Sequence, residues 1–180
     1  GVQTCALPIY DIRDLLGAAA LAIAAVFALA GLVQAIRRKS LLRVDREILA
    51  LGGLYVVMAG LYVLFEIVIV NYRPVLMPGS SVPEASFPSS HTMLVCVIMG
   101  SAILLLGKYV KNRGLRRVLQ ILCWIILLVT VAGRLVSGVH WFTDILGGVL
   151  LSAALLFAYA GILHGMKQAY KPAHLQTRRR

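Results

Sequence analysis

The feature that most limits how this chain can fold is a succession of apolar runs, each close to the thickness of a bilayer. A helix rises 1.5 Å per residue, so about 20 apolar residues cover roughly 30 Å of hydrocarbon. Leu15–Ile36, Ile48–Val70, Thr92–Gly107 and Ile145–Leu163 meet or approach that length, and the shorter Val118–Ala132 is extended by its flanks. Of the 180 residues, 60% are hydrophobic and 14% charged, with a mean hydropathy of +0.87. A soluble domain of this size leaves too much of its chain near water to hide that apolar surface. No internal repeat or low-complexity segment interrupts the pattern. The expected fold is all-α: a polytopic membrane helical bundle of five transmembrane helices, forming one domain over residues 1–180.

The net charge of +11 raises the question of nucleic acid, but the charges lie between the apolar runs and not on an amphipathic face. Arg37, Arg38, Lys39, Arg43 and Arg46 occupy one connection. Lys108, Lys111, Arg113, Arg116 and Arg117 occupy another, and Lys167, Lys171 and Arg178–Arg180 the tail. Five alternating spans put these three segments on one side, and the positive-inside rule makes that side cytoplasmic. No nucleic-acid partner is expected. The other side receives only Arg13, Arg73 and Arg134. The expected location is a plasma or inner membrane, with basic loops and C-terminus in the cytoplasm. The start at Gly1 in place of Met, without the basic lead and cleavage pattern of a signal peptide, suggests a truncated beginning. Of the three cysteines, Cys96 and Cys123 lie within apolar runs, and Cys5 adds no framework. No Cys/His spacing suggests a metal site, and no cofactor is expected.

The outer side differs in chemistry. Its loop Asn71–Ser90 holds Pro74, Pro78, Pro83 and Pro88, which exclude helix and inner strand. Three polar clusters mark the outer ends of spans: Asn71-Tyr72-Arg73-Pro74, Pro88-Ser89-Ser90-His91-Thr92, and Gly133-Arg134 followed by His140 and Asp144. Topology alone brings them to one level, and their chemistry suits phosphoryl transfer. Arg73 and Arg134 can clamp phosphate oxygens with forked hydrogen bonds. Ser89 and Ser90 stand where the third helix begins, so its unpaired amides and dipole face an anion. If helical, His140 and Asp144 share a face about 6 Å apart, and the carboxylate fixes the imidazole tautomer. His91 is then available as an acid toward the leaving group. The arginines supply positive charge, so no metal is required.

These residues resemble the three signatures of the type 2 phosphatidic acid phosphatase (PAP2) superfamily. Its pattern is Lys, six residues, Arg-Pro; then Pro-Ser-Gly-His; then Ser-Arg, five residues, His, three residues, Asp. The likeness runs from about Glu66 to Asp144 and fits the membrane-bound branch. That branch usually has six spans, so five here look like the same plan lacking its first helix. The resemblance implies that His140 is the nucleophile forming a phosphohistidine, oriented by Asp144, and that His91 protonates the leaving group. It implies that Arg73, Arg134 and Ser89, with the amide of Ser90, hold the phosphate.

Three positions depart from the family. Ser90 replaces Gly and keeps the amide; Gly133 replaces Ser and loses a hydroxyl; Glu66 stands where Lys is expected. No Lys occurs between Lys39 and Lys108 to substitute. Seven residues before Arg73, Glu66 is expected two turns down the same helical face, orienting Arg73 or Arg134 without touching substrate. Structural pairing and functional tuning are equally open for it.

Other residues take a plainer reading. Taken alone, Arg73 is equally an interfacial anchor, and His91 a capping or snorkelling residue. Asp144 at the mouth of an apolar span needs a partner, and His140 is nearest in sequence. His164 and His174 are expected in solvent, and Tyr55, Tyr62 and Trp124 in packing. Trp141 and Phe142 form an interfacial belt or guide a lipid tail, the belt being favoured. Arg178–Arg180 either attract anionic headgroups or are simply solvated.

Two functional readings remain. The first is an extracytoplasmic phosphatase acting on a membrane lipid phosphate: undecaprenyl pyrophosphate, phosphatidic acid or phosphatidylglycerophosphate are the substrates the resemblance implies. The chain's small size favours, weakly, a bacterial carrier-lipid phosphatase. The soluble vanadate-dependent haloperoxidases share the family site, but the apolar spans argue against them. The second is a phospholipid-binding or transport protein that keeps the anion site with weakened catalysis, for which Glu66 is the best support.

Overall fold

The computed structural model describes residues 3–76 and 81–177, and the side chains of 15–76 and 81–168. Within these residues the chain is helical: α1 Gln3–Arg38, α2 Arg46–Ile67, α3 Ser90–Tyr109, α4 Arg113–Ser137 and α5 Phe142–Thr177, with a short 3₁₀ turn at Leu41–Arg43. Five helices are long and apolar enough to cross a membrane. The run expected to be short is the second longest of the five spanning segments (25 residues), because α4 starts at Arg113. Asn112 caps it, its side-chain oxygen accepting from the amides of Gly114 (2.9 Å) and Leu115 (3.1 Å).

The bundle is arranged around α3. More than half of its spanning residues are buried, against about a fifth in each of the other four. On one side Met93, Val97 and Leu105 pack with Leu51 and Leu54 of α2 and Tyr159 and Leu163 of α5. On the other, Val95, Ile98, Met99 and Ala102 pack with Ala20 of α1 and Cys123 of α4. The outer helices turn Leu29, Val56, Trp124 and Phe157 outward, all more than half exposed. Helices apolar on every face, with large aliphatics pointing away from the core, fit a hydrocarbon surround.

Helix α2 stops at Ile67, three residues short of the expected Val70. The residues at its end and just beyond, Ile67-Val68-Ile69-Val70, are β-branched and stiff at χ1, and Val68 has left the helical region (φ −95°, ψ 85°). The chain then runs to an antiparallel bridge between Tyr72 and Ala85. The Arg73 amide donates to the Glu84 carbonyl (3.1 Å) and the Ser86 amide to the Asn71 carbonyl (3.0 Å). The two arms of the proline-rich loop are thereby joined. Phe87 seats this loop against the bundle, edge-on to Phe65 of α2 at 5.3 Å.

The opposite end of the bundle is fastened by charge. Asp45, before α2, accepts from Gln34 (3.2 Å), Arg38 (3.1 Å) and the Tyr109 hydroxyl (3.1 Å), with Lys108 3.6 Å away. Lys108 also meets Glu47 at 2.6 Å, and the Tyr159 hydroxyl donates to the Glu47 carbonyl (3.0 Å). Elements α1, α2, α3 and α5 converge there. His164 is exposed, as expected; the side chain of His174 and all of Arg178–Arg180 lie outside the described residues.

Candidate active site

His140 stands in the connection between α4 and α5. Gly138 ends α4 in the left-handed conformation (φ 64°), which glycine adopts without a Cβ penalty. This turn delivers Val139 and His140 back toward the core, both buried. Helix α5 begins at Phe142, so His140 precedes it, and the helical-face relation expected between His140 and Asp144 is not the one found. The Trp141 amide donates to Asp144 (2.9 Å) across the start of the helix.

Asp144 is fully buried and is held by neutral donors. Asn71 Nδ2 donates at 2.9 Å, the Trp141 amide at 2.9 Å, and the Ser86 hydroxyl through a short hydrogen bond. Its Oδ2 lies 3.7 Å from His140 Nδ1, beyond hydrogen-bond range. The link passes through Ser86. The Ser86 carbonyl lies 3.1 Å from His140 Nδ1, and its hydroxyl 3.2 Å from the same nitrogen. A carbonyl can only accept, so the neutral imidazole carries its proton on Nδ1. The lone pair is therefore on Nε2, which is buried and has no hydrogen-bond partner. An unsatisfied buried acceptor calls for a functional account.

Arg134 projects from the last turn of α4 and is 2% exposed. Arg73 stands on the loop bridge, its side chain 16% exposed, with Nε 3.3 Å from Glu84. Burial first, then these two guanidiniums, lower the pKa of His140 from 6.5 to about 4, against partial opposition from Asp144 and the Ser86 hydrogen bond. The imidazole is neutral at physiological pH, as a nucleophile must be.

Ser89 is the N-cap of α3 and fully buried. Its amide donates to the Asp144 carbonyl (3.0 Å) and its hydroxyl accepts from Thr92 (2.9 Å). It ties α3 to α5 directly. Gly148 permits this approach: a Cβ there would meet the Ser89 carbonyl at 3.1 Å and Thr92 at 3.3 Å. Ser90 opens α3, where amides have no preceding turn to bond to.

Two cavities meet at this rim. A small polar one is lined by Glu66, Arg73, Ser86, Ser90 and His140 among others. An apolar one of about 490 Å³ lies between α1, α2 and α3, lined by Gly17, Leu21, Met58, Met93 and Leu94. His91, exposed on the first turn of α3, lines the apolar cavity, while His140 lines the polar one. Tyr62 and Ser90 belong to both walls. Tyr62, expected in packing, is nearly half exposed and lines both cavities. Glu66 reaches the polar cavity although Arg73 is not on its helix; the helical-face argument for that pair fails with the early end of α2. Trp141 and Phe142 are half-exposed or more at the rim, and the indole of Trp141 donates to the Tyr72 carbonyl (2.9 Å).

The structure thus gathers Arg73, Ser90 and His140 around one cavity and sets Arg134 and Asp144 against His140; Ser89 and His91 stand on the adjoining start of α3. Sequence reasoning assigned no role to Ser86, Asn71 or Glu84. Their partners are as much as 73 residues away, and no local spacing marks them.

The fold and this site define a multi-pass helical membrane protein with an imidazole and two guanidiniums at one rim. The chain belongs to the PAP2 superfamily, whose family profile matches residues 15–165. A solved structure, a transmembrane PAP2-type phosphatidylglycerolphosphate phosphatase from Bacillus subtilis, has the same fold at 21% identity and a TM-score of 0.60. The likeness covers 91% of this chain and 87% of that one. A search of curated proteins gave no match.

Proposed function

We infer that the protein is a phosphatase acting on a lipid phosphate monoester or pyrophosphate. The observation that carries this reading is His140 Nε2, a buried lone pair without a partner, facing a polar cavity that shares walls with an apolar one. The polar cavity carries the charged and polar groups a phosphate needs and, at about 10 Å³, widens to admit one, while the apolar cavity of about 490 Å³ takes a hydrocarbon tail.

In the proposed reaction the headgroup phosphate is held by Arg73, Arg134 and the amide of Ser90, with Ser89 fixing the start of α3. These groups stabilise charge on the equatorial oxygens. His140 Nε2 attacks phosphorus, the P–N bond forms, and the bond from phosphorus to the leaving oxygen breaks. His91 gives that oxygen a proton. Asp144, acting through Ser86, supports the positive charge that develops on the imidazole. Water, deprotonated by His91, then attacks the phosphohistidine, releasing inorganic phosphate and regenerating His140. The positive charge needed comes from the two arginines, and the scheme uses no metal. The distribution of Lys and Arg favours an extracytoplasmic active site in a plasma or inner membrane.

Purified protein in detergent, without divalent metal, is offered undecaprenyl pyrophosphate, phosphatidic acid and phosphatidylglycerophosphate. Release of inorganic phosphate that His140→Ala abolishes is the expected result. Binding of these lipids with no release from any of them supports the second reading, a lipid-binding or transport protein, which the presence of Glu66 in the polar cavity favours.

A further inference from the structure

Glu66 is exposed in the last turn of α2, one helical turn after Tyr62. It lines the polar cavity beside Arg73, Ser90 and His140. A carboxylate next to a phosphate site works against the dianion the arginines attract, and three features make it more than a counter-ion. Arg73 is already engaged by another carboxylate, Glu84, at 3.3 Å. No lysine lies between Lys39 and Lys108 to neutralise Glu66. Tyr62, one turn before it on α2, stands in the walls of both cavities, so Glu66 lies beside the boundary between them. The polar cavity therefore offers a phosphate the Arg73 guanidinium and, on the helix that also carries Tyr62, an anionic group.

We propose that Glu66 makes this a site for zwitterionic substrates: a lipid phosphate carrying a protonated amine on the carbons next to the phosphate ester. The ammonium bonds to Glu66 while the phosphate sits between Arg73 and Arg134, and the charge that repels a simple lipid phosphate becomes a point of recognition. Neutral or anionic neighbours of the phosphate gain nothing from Glu66 and suffer its repulsion. This rests on the phosphatase reading for turnover, but the selectivity it predicts appears in binding as well.

The test compares a long-chain β-amino alkyl phosphate with the matched β-hydroxy alkyl phosphate, in detergent, with phosphate release and equilibrium binding both measured. Wild type is expected to favour the amine by about tenfold in kcat/KM, the size of one hydrogen bond to a charged group. N-acetylation of the amine, which removes its charge, is expected to erase the preference. In Glu66→Gln the ratio of the two kcat/KM values falls toward one, whatever happens to the absolute rates. His140→Ala, which cannot turn over, is expected to keep the preference in binding. Equal use of both lipids by wild type, or a ratio unchanged in Glu66→Gln, overturns the proposal. No release from either lipid, with tenfold preferential binding of the amine, overturns the phosphatase reading and leaves this one standing; no release and no preference overturns both.

Discussion

The two ends of the bundle carry charged residues to opposite purpose. At the basic end Asp45 is surrounded by Arg38, Lys108, Tyr109 and Gln34, and Glu47 meets Lys108. Burial works to raise the Asp45 pKa, but the Arg38 hydrogen bond and Lys108 outweigh it and hold it below the ordinary value. Acids and bases there answer one another. At the other end the buried carboxylate, Asp144, is met by an amide side chain, a hydroxyl and a backbone N–H. Arg73 and Arg134 are instead set against His140, whose imidazole they help keep neutral. At the basic end the ion pairs join helices, whereas at the rim Arg73 meets Glu84 of its own loop and Asp144 is satisfied by neutral donors.

That contrast breaks most visibly if Arg134 is removed. Arg134→Ala is expected to cut kcat/KM by about 10³-fold, as loss of a preorganised charge donor does. It also moves the acid limb of the pH profile. Protonation of His140 sets that limb near pH 4 in the wild type, and without the neighbouring guanidinium it shifts upward while burial and Arg73 still hold it below 6.5. The same residue governs acid stability. Between 6.5 and about 4 the unfolded chain takes up a proton that the folded chain refuses, so this contribution is complete above pH 6.5 and is lost as pH falls toward 4. Thermal unfolding followed across that range in wild type and Arg134→Ala checks the direction.

A smaller effect sharpens the role of the loop. Ser86→Ala keeps the carbonyl that holds His140 Nδ1 but removes the hydroxyl between imidazole and Asp144. Turnover is expected to fall about 10–100-fold, as when a supporting partner is lost, with little change in KM. Unchanged kcat would mean that Asp144 reaches the imidazole without Ser86. Smallest is the effect expected at the basic end. Asp45→Ala should lower stability by about 1 kcal/mol, since the network is partly exposed, and leave kcat unaltered. A loss of turnover there would show that the two ends are coupled.

Much of this was legible in the chain. Apolar runs and basic connections gave the five helices, and the outer ends of those runs located Arg73, Ser89, Ser90, His91, Arg134, His140 and Asp144 on one side. What local spacing misread was conformation at the rim. Periodicity carried α2 through Val70, whereas the β-branched run ends it at Ile67 and places Arg73 on a two-armed loop. The four-residue interval between His140 and Asp144 read as a helical turn, yet His140 precedes α5 and is held by a serine 54 residues earlier. Contacts of that range, such as Ser86 with His140 or Asn71 with Asp144, exist only once the helices pack. The division between a polar and an apolar cavity, with Tyr62 in both, likewise belongs to three helices together and to no single segment.

The proposed reaction requires His140 Nε2 to become covalently bonded to phosphorus. Rapid mixing with phosphatidic acid labelled in its phosphate, followed by an alkaline denaturing quench that preserves phosphohistidine, tests it directly. Label on the peptide containing His140 in the wild type, and none in His140→Ala, is the predicted result. Phosphate release with no label on the protein, or label that persists in His140→Ala, contradicts it.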